Sequence, residues 1–455
     1  MKKNGKKSIR SIRRGERLTI FILILFFIGM ILLVIRIVSE SSFYMTYSSN
    51  VTLGCVYDCN GDILFDPDAD AETYGEDYFL DIGNVIGDDS GQMTNTLVSE
   101  NLESLQNYSL IFGTSTVEDT AIYCTLDHTA NQAVYDAFGD KDGTAIAYNY
   151  ETGEILICIS KPSVNILDYS DVDSLEEGSL ICKAFYGTVP GSTQKVATTA
   201  AALEEFGYES LLEKTYTCTG SWTTIYSQEI VCHNSSGHGT QNIIEAFANS
   251  CNPFFAQLVQ DMSLDNIIEV YTNMGIAVND EEVTKIDIDG ISSYSASVTL
   301  TDTSDFDTMW NCMGQSEALT SPCQMMLWES AIANGTGVIT EPYFISSITD
   351  VSGFTSYTAE TTYGDSEIFS AETAQHLRDI MLQNGTENYS SIGYTVGVKS
   401  GTAEVESTDT ENSLLVGFCT DEDLPIAFAV MIEDRVDGDI TTSDIVRAML
   451  QALDT

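Results

Sequence analysis

The sequence predicts an α+β fold whose sheet is assembled from segments far apart in the chain. Two pairs of β-rich runs carry the prediction. TAIAYNY (144–150) and EILICIS (154–160) join at Glu151-Thr152-Gly153, which reads as a hairpin, and LLVGFC (414–419) and IAFAVMI (426–432) pair across TDEDLP. The third observation is the helical stretch between them, together with the closing helix SDIVRAMLQAL (443–453). Strands at both ends of a region with helices between them fit a sheet built from distant pieces.

Taken in order, the chain opens on a basic tail, residues 1–17, with eight Lys and Arg residues. LTIFILILFFIGMILLVI (18–35) follows without a charge, and Ile37 and Val38 extend it. Eighteen apolar residues are long enough to span a bilayer core. RIVSESSF follows with no small-residue cleavage pattern, so residues 18–38 read as an uncleaved anchor rather than a secretory signal. The basic cluster places the tail in the cytoplasm and the rest outside.

Of the 455 residues, 19 are Lys or Arg and 68 Asp or Glu; nine of the former but only Glu16 of the latter lie in residues 1–36. The remainder carries 10 basic and 67 acidic residues, a net charge near −57. Such a surface excludes nucleic acid and anionic membrane faces as partners. A hydrophobic fraction of 43% still marks a folded protein.

Residues 39–139 form a first external region with short strand-like pieces such as VTLGCVYDCNGDILFD. TLDHTANQAVYDAFG (125–139) ends it as a helix stopped by Gly139. Residues 140–455 form the main domain. All 11 cysteines lie outside the expected span, so at least one is left without an intramolecular partner. Cys218 and Cys232 flank a hairpin-like loop, where a disulfide and free thiols are both open. Cys55 and Cys59 lack a complementary pair and read as packing residues. His128, His233 and His376 have no ligand spacing, and His238 reads as a loop residue.

Three short stretches carry chemistry. In VPGSTQKVATTAAALEEFG (189–207), Pro190 and Gly191 break the chain, Val196 to Glu205 favours helix, and Gly207 stops it. Ser192 then lies at a helix start, and Lys195, nearly one turn on, faces the same way. A neutral lysine there could take the serine proton. In TQNIIEAFANSCNPFFAQLVQDM (240–262), Ser250 and Asn252 sit on a turn between two helices, with Asn252 capping the second and Pro253 at its first position. In YTVGVKSGTAEV (394–405), a strand continues into Lys399-Ser400-Gly401-Thr402. A lysine and two hydroxyls beside a glycine suit a carboxylate or phosphate ligand.

Together these stretches resemble the penicillin-binding proteins with a serine transpeptidase domain, whose ordered signature is S-x-x-K, S-x-N and K-[TS]-G. Here they read Ser192-Thr-Gln-Lys195, Ser250-Cys-Asn252 and Lys399-Ser-Gly401, at intervals of 58 and 149 residues. PGSTQK is close to the family's PGSTFK, with Gln194 for the aromatic. CHNSSGHG, MGQSEALTSPCQMMLWESAIANGTG (313–337) and SLLVGFC also resemble family segments. GCVYDCNGDIL (54–64) is similar to the N-terminal element of class B members but lacks its arginines, and Ser400 stands for the commoner threonine. With no candidate glycosyltransferase region, the resemblance is to the class B, monofunctional group.

The resemblance implies a penicillin-binding, serine β-lactamase-like domain, with an antiparallel sheet and a helical subdomain. A transmembrane helix and a smaller β-rich region that serves as pedestal or dimerisation surface would precede it. It implies a D,D-transpeptidase acting on peptidoglycan stem peptides ending in D-Ala-D-Ala and acylated by β-lactams. Ser192 would be the nucleophile, Lys195 the base, Ser250 the proton relay and Asn252 a substrate-positioning group. Lys399, Ser400, Gly401 and Thr402 would bind the terminal carboxylate, and N–H groups of Ser192 and Thr402 would form the oxyanion hole. No cofactor or metal is expected, and a SEDS-family membrane glycan polymerase is the expected partner. The same trio also serves carboxypeptidases, β-lactamases and β-lactam sensors, and a catalytically weak division scaffold is the non-enzymatic alternative.

Overall fold

In a computed structural model, residues 2–46, 51–75, 77–108, 119–167, 169, 172–404 and 410–454 are described. A five-stranded antiparallel sheet lies at the centre of the main domain. Its order is Val396–Glu404, Glu411–Cys419, Ile426–Arg435, Gly143–Asn149 and Ile155–Lys161. The two sequence-predicted pairs are therefore neighbours, joined edge to edge through Ile426–Arg435 and Gly143–Asn149. Gly153 makes the expected hairpin turn with φ 93°.

The alternation of side chains explains the continuous apolar runs in the middle strands. Leu414, Val416 and Phe418 face one core while Leu415 and Cys419 face another. Ala427, Ala429 and Met431 alternate with Phe428, Val430 and Ile432 in the same way. A strand with period-two geometry buried on both faces must be apolar at every position. On the second face, Ile445, Val446, Met449 and Leu450 of helix Thr442–Leu453 join Ala130 and Val134 of helix His128–Ala137. On the first face lies helix Pro322–Ala333, started by the Ser321 cap and buried at all its positions. That helix carries Glu329, whose two carboxylate oxygens are buried without a hydrogen-bond partner. Burial pushes its pKa well up.

A second sheet crosses the expected boundary near residue 140. Its order is Thr355–Thr358, Ile345–Thr349, Ala121–Cys124, Cys55–Tyr57 and Ile63–Phe65, with Cys55–Tyr57 and Ala121–Cys124 parallel. Strands on both sides of residue 140 thus share one sheet. At the N-terminus a single helix runs Lys2–Thr46, past the expected end of the apolar run. Its segment Arg13–Arg36 is long and apolar enough to cross a membrane and is not buried against the described residues.

Candidate active site

Ser192 lies in a 3-10 turn, Gly191–Gln194, that leads into helix Lys195–Phe206. Gly191 has φ 55°, a left-handed conformation that glycine adopts without a Cβ penalty. A side chain there would also meet the Thr402 carbonyl oxygen at 2.6 Å, and one at Gly401 would meet the Pro190 oxygen at 2.6 Å. The two glycines let the serine turn lie directly against the edge strand. Gly207, φ 69°, ends the helix as expected.

The S-x-N turn joins helices Ile243–Ala248 and Asn252–Asp261. Ser250 is held at φ 49°, a backbone conformation a serine adopts only under constraint. Asn252 departs from its expected role. It is the first helical residue and Cys251 occupies the cap position, with no side-chain cap bond. The reason is competition: Asn252 Oδ1 accepts from Lys195 Nζ at 2.7 Å, and its Nδ2 donates to the Val231 carbonyl at 3.1 Å.

Lys195 joins the pieces. Its Nζ lies 2.9 Å from Ser192 Oγ, 2.8 Å from the Ser250 carbonyl and 3.2 Å from Ser250 Oγ. Lys399 Nζ donates to Ser250 Oγ at 3.0 Å and to the Ser400 carbonyl at 2.8 Å. Ser192, Lys195, Ser250, Asn252 and Lys399 therefore form one connected group. Strand alternation turns Lys399, Gly401 and Ala403 toward the serine. Ser400 and Thr402 alternate with them, and Thr402 is exposed. Among the described residues no side-chain hydrogen bond ties Ser400 or Thr402 to the group. Gln315, which the motifs do not mark, donates its Nε2 to the Thr402 carbonyl at 3.0 Å.

Both amines are almost fully buried, Lys195 at 0% and Lys399 at 1% exposure. Desolvation lowers the Lys195 pKa to about 7, opposed by Cys251 and Cys232. Desolvation also drives Lys399 well down, and the like charge of Lys195 adds to it. The rings of Phe255 and Phe247 lie 5.3 and 5.7 Å from the two nitrogens, so little water reaches either. Two amines around one hydroxyl do not both hold a full charge easily. Because both donate to Ser250 Oγ, protonation of one disfavours protonation of the other.

A neutral Lys195 amine has two N–H donors and one lone pair. Asn252 Oδ1 and the Ser250 carbonyl take the donors, which leaves the lone pair for the Ser192 hydroxyl. The arrangement can thus remove a proton from Ser192 and pass it to Ser250.

The other sequence-marked residues fall elsewhere. His128 lies in the core, its Nε2 3.2 Å from Asp81, and His376 stacks on Tyr208. Cys218 and Cys232 are free thiols, and they meet Cys251 and His238, which their spacing in the sequence does not group with them.

The chain matches the penicillin binding protein transpeptidase domain over residues 143–451. It is 28% identical over 281 residues to stage V sporulation protein D of Bacillus subtilis, covering 60% of this chain and 42% of that protein. It is 28% identical over 346 residues to the peptidoglycan D,D-transpeptidase PbpA of Mycolicibacterium smegmatis, covering 69% of this chain and 67% of that one. The structure of penicillin-binding protein A from Mycobacterium tuberculosis superposes with a TM-score of 0.73 at 20% identity, over 89% of this chain and 99% of that one. The same protein has been solved as a ceftriaxone acyl-enzyme, with a TM-score of 0.73 over 88% and 98% of the two chains.

Proposed function

The chain belongs to the penicillin-binding protein transpeptidase family, and on that premise we propose that it is a membrane-anchored serine D,D-transpeptidase. It would cross-link peptidoglycan stem peptides through an acyl-Ser192 intermediate and be acylated at the same serine by β-lactams. The observation that carries this reading is the 2.9 Å contact between Ser192 Oγ and the buried Lys195 amine, whose pKa is lowered to about 7.

In this mechanism Lys195 accepts the Ser192 proton as Oγ attacks the penultimate carbonyl of D-Ala-D-Ala. The backbone N–H groups of Ser192 and Thr402 take the oxyanion, a contribution often large in acyl transfer. The proton passes through Ser250 Oγ, which touches both amines, to the departing D-alanine nitrogen. Asn252 orients Lys195 and the substrate amide. An amine of a second stem then attacks the ester, and the relay runs in reverse. The substrate carboxylate binds at Lys399, Ser400 and Thr402, drawing the shared proton onto Lys399 and leaving Lys195 neutral. Substrate binding thereby prepares its own base.

Helix Lys2–Thr46 supplies the anchor, with the basic tail cytoplasmic and the acidic domain outside. Residues 39–139 act as a pedestal, and a SEDS-family glycan polymerase is the partner that would supply nascent strands. Turnover of a stem-peptide thioester with an added D-amino acid tests the reading. Transfer product supports it; hydrolysis alone would make the protein a carboxypeptidase, and neither product would make it a scaffold.

Lys399→Ala should weaken acylation by substrates bearing the terminal carboxylate more than by their amide analogues. A lost charge-assisted hydrogen bond costs on the order of 1.5–3 kcal/mol. Acid and amide losing equally in kcat/KM would show that Lys399 does not bind the carboxylate.

A further inference from the structure

Four potential metal ligands converge beside the S-x-N turn. Cys218 ends strand Tyr216–Cys218, Cys232 follows strand Glu229–Val231, His238 precedes strand Gly239–Gln241, and Cys251 lies between Ser250 and Asn252. Their ligand atoms all lie within 4.8 Å of one another, and the three cysteines are buried. Cys232 Sγ is 3.5 Å from His238 Nδ1. A tetrahedral zinc with Zn–S of about 2.3 Å and Zn–N of about 2.0–2.1 Å has S···N edges of about 3.6 Å and S···S edges of about 3.8 Å. The Cys232–His238 edge matches that polyhedron, and the 4.8 Å limit on the others leaves all four ligand atoms within about an ångström of closing on one ion.

Hydrogen-bond donors surround the sulfurs. Backbone N–H groups of Gly220 and His238 face Cys218, that of Asn234 faces Cys232, and that of Phe254 faces Cys251. Gln241, 2% exposed, leans on Cys251, and its Nε2 has no other hydrogen-bond partner. Donors of this kind support a metal-bound sulfur from outside the ligand shell. A disulfide would use two of the thiols and leave a thiol and an imidazole idle in the same contact.

We propose that Cys218, Cys232, His238 and Cys251 hold a zinc ion in a closed site of three sulfurs and one nitrogen that fixes the turn carrying Ser250 and Asn252. Three thiolates and an imidazole select a soft, tetrahedral ion, and four protein ligands leave no open position for a substrate. The ion is therefore structural. The segment it organises, residues 216–241, consists of two-stranded ribbons with three-residue strands, too short to be stable alone. Val231, next to Cys232, accepts the Asn252 amide, and Asn252 holds Lys195. Cys251 is thus a positioning residue that acts through its two neighbours.

The test uses the full chain purified in detergent under reducing conditions without chelator. Elemental analysis should find close to one zinc per chain, and the Co2+-substituted protein should show the visible bands of a tetrahedral thiolate site. Cys218→Ser and His238→Ala should lose the metal, and His238→Cys should keep it. Should the variants fail to fold, chelation of the folded wild-type chain gives the same reading. The reactive-thiol titre should rise by three, the melting temperature should fall, and β-lactam acylation should slow about ten- to a hundredfold, as for a misplaced catalytic group. Zinc should restore all three, and Mg2+ none. Metal content reads out independently of catalysis, so it stands or falls apart from the proposed reaction. Protein that takes up no zinc, that retains full zinc in Cys218→Ser and His238→Ala, or that contains a native Cys218–Cys232 disulfide would overturn the proposal.

Discussion

Ser192→Ala should take up no labelled penicillin, while the wild-type chain labels at one serine. The β-lactam carbonyl needs an oxygen nucleophile at the point where Lys195 Nζ waits, and Ser192 Oγ is the hydroxyl 2.9 Å from it. Ser250 Oγ is the other hydroxyl in reach, but it is bonded to both amines and held at φ 49°. Alanine removes only the hydroxyl, and residue 192 sits in a turn that does not depend on it. The fold should therefore survive, with an unchanged melting temperature. Peptide mass mapping of the wild-type adduct should place it in VPGSTQK. Undiminished labelling of Ser192→Ala would sink the assignment of the nucleophile.

Lys195→Arg should slow acylation about a hundred- to ten-thousandfold, the usual worth of a general base. The guanidinium keeps its proton at any usable pH and has no lone pair to offer. It could still donate to Asn252 Oδ1 and the Ser250 carbonyl, so the substitution separates proton acceptance from hydrogen-bond scaffolding. Lys195→Met should be comparably slow, because it too lacks a base. Rapid acylation by the arginine variant would show that another group takes the Ser192 proton.

The motif trio was legible because each piece has its own local signal. Pro190 and Gly191 before an alanine-rich run that ends at Gly207 announce the serine turn and its helix. The helix-turn-helix around Ser250 follows from the apolar spacing of Ile243, Ile244 and Phe247 and from Pro253. The main sheet was legible for a related reason: four of its strands are seven to ten residues long and carry apolar runs that face both cores. The second sheet was not. Its strands have three to five residues, too few to establish a period, and Cys55–Tyr57 pairs with a segment more than sixty residues away. The sequence favours Asn252 as a cap because local hydrogen bonding suits it there. Lys195, from another helix, competes successfully for the same oxygen. The cysteine–histidine cluster was hidden by spacing. C-x13-C-x5-H-x12-C contains no close ligand pair, and its members converge only when two short ribbons fold onto the S-x-N turn.

The central claim is that a neutral Lys195 activates Ser192, and the pH dependence of single-turnover acylation by a β-lactam tests it most directly. A base works only when deprotonated, so the rate should rise with pH below its pKa and level off above it. Burial lowers that pKa to about 7, far below the value of about 10.4 for a free lysine. Because Lys399 competes for the same proton, the midpoint belongs to the pair, and Lys399→Gln should move it upward. The account predicts a wild-type profile that climbs through neutral pH to a plateau. A profile that is flat across neutral pH, or that climbs only near the free-lysine value, would contradict it.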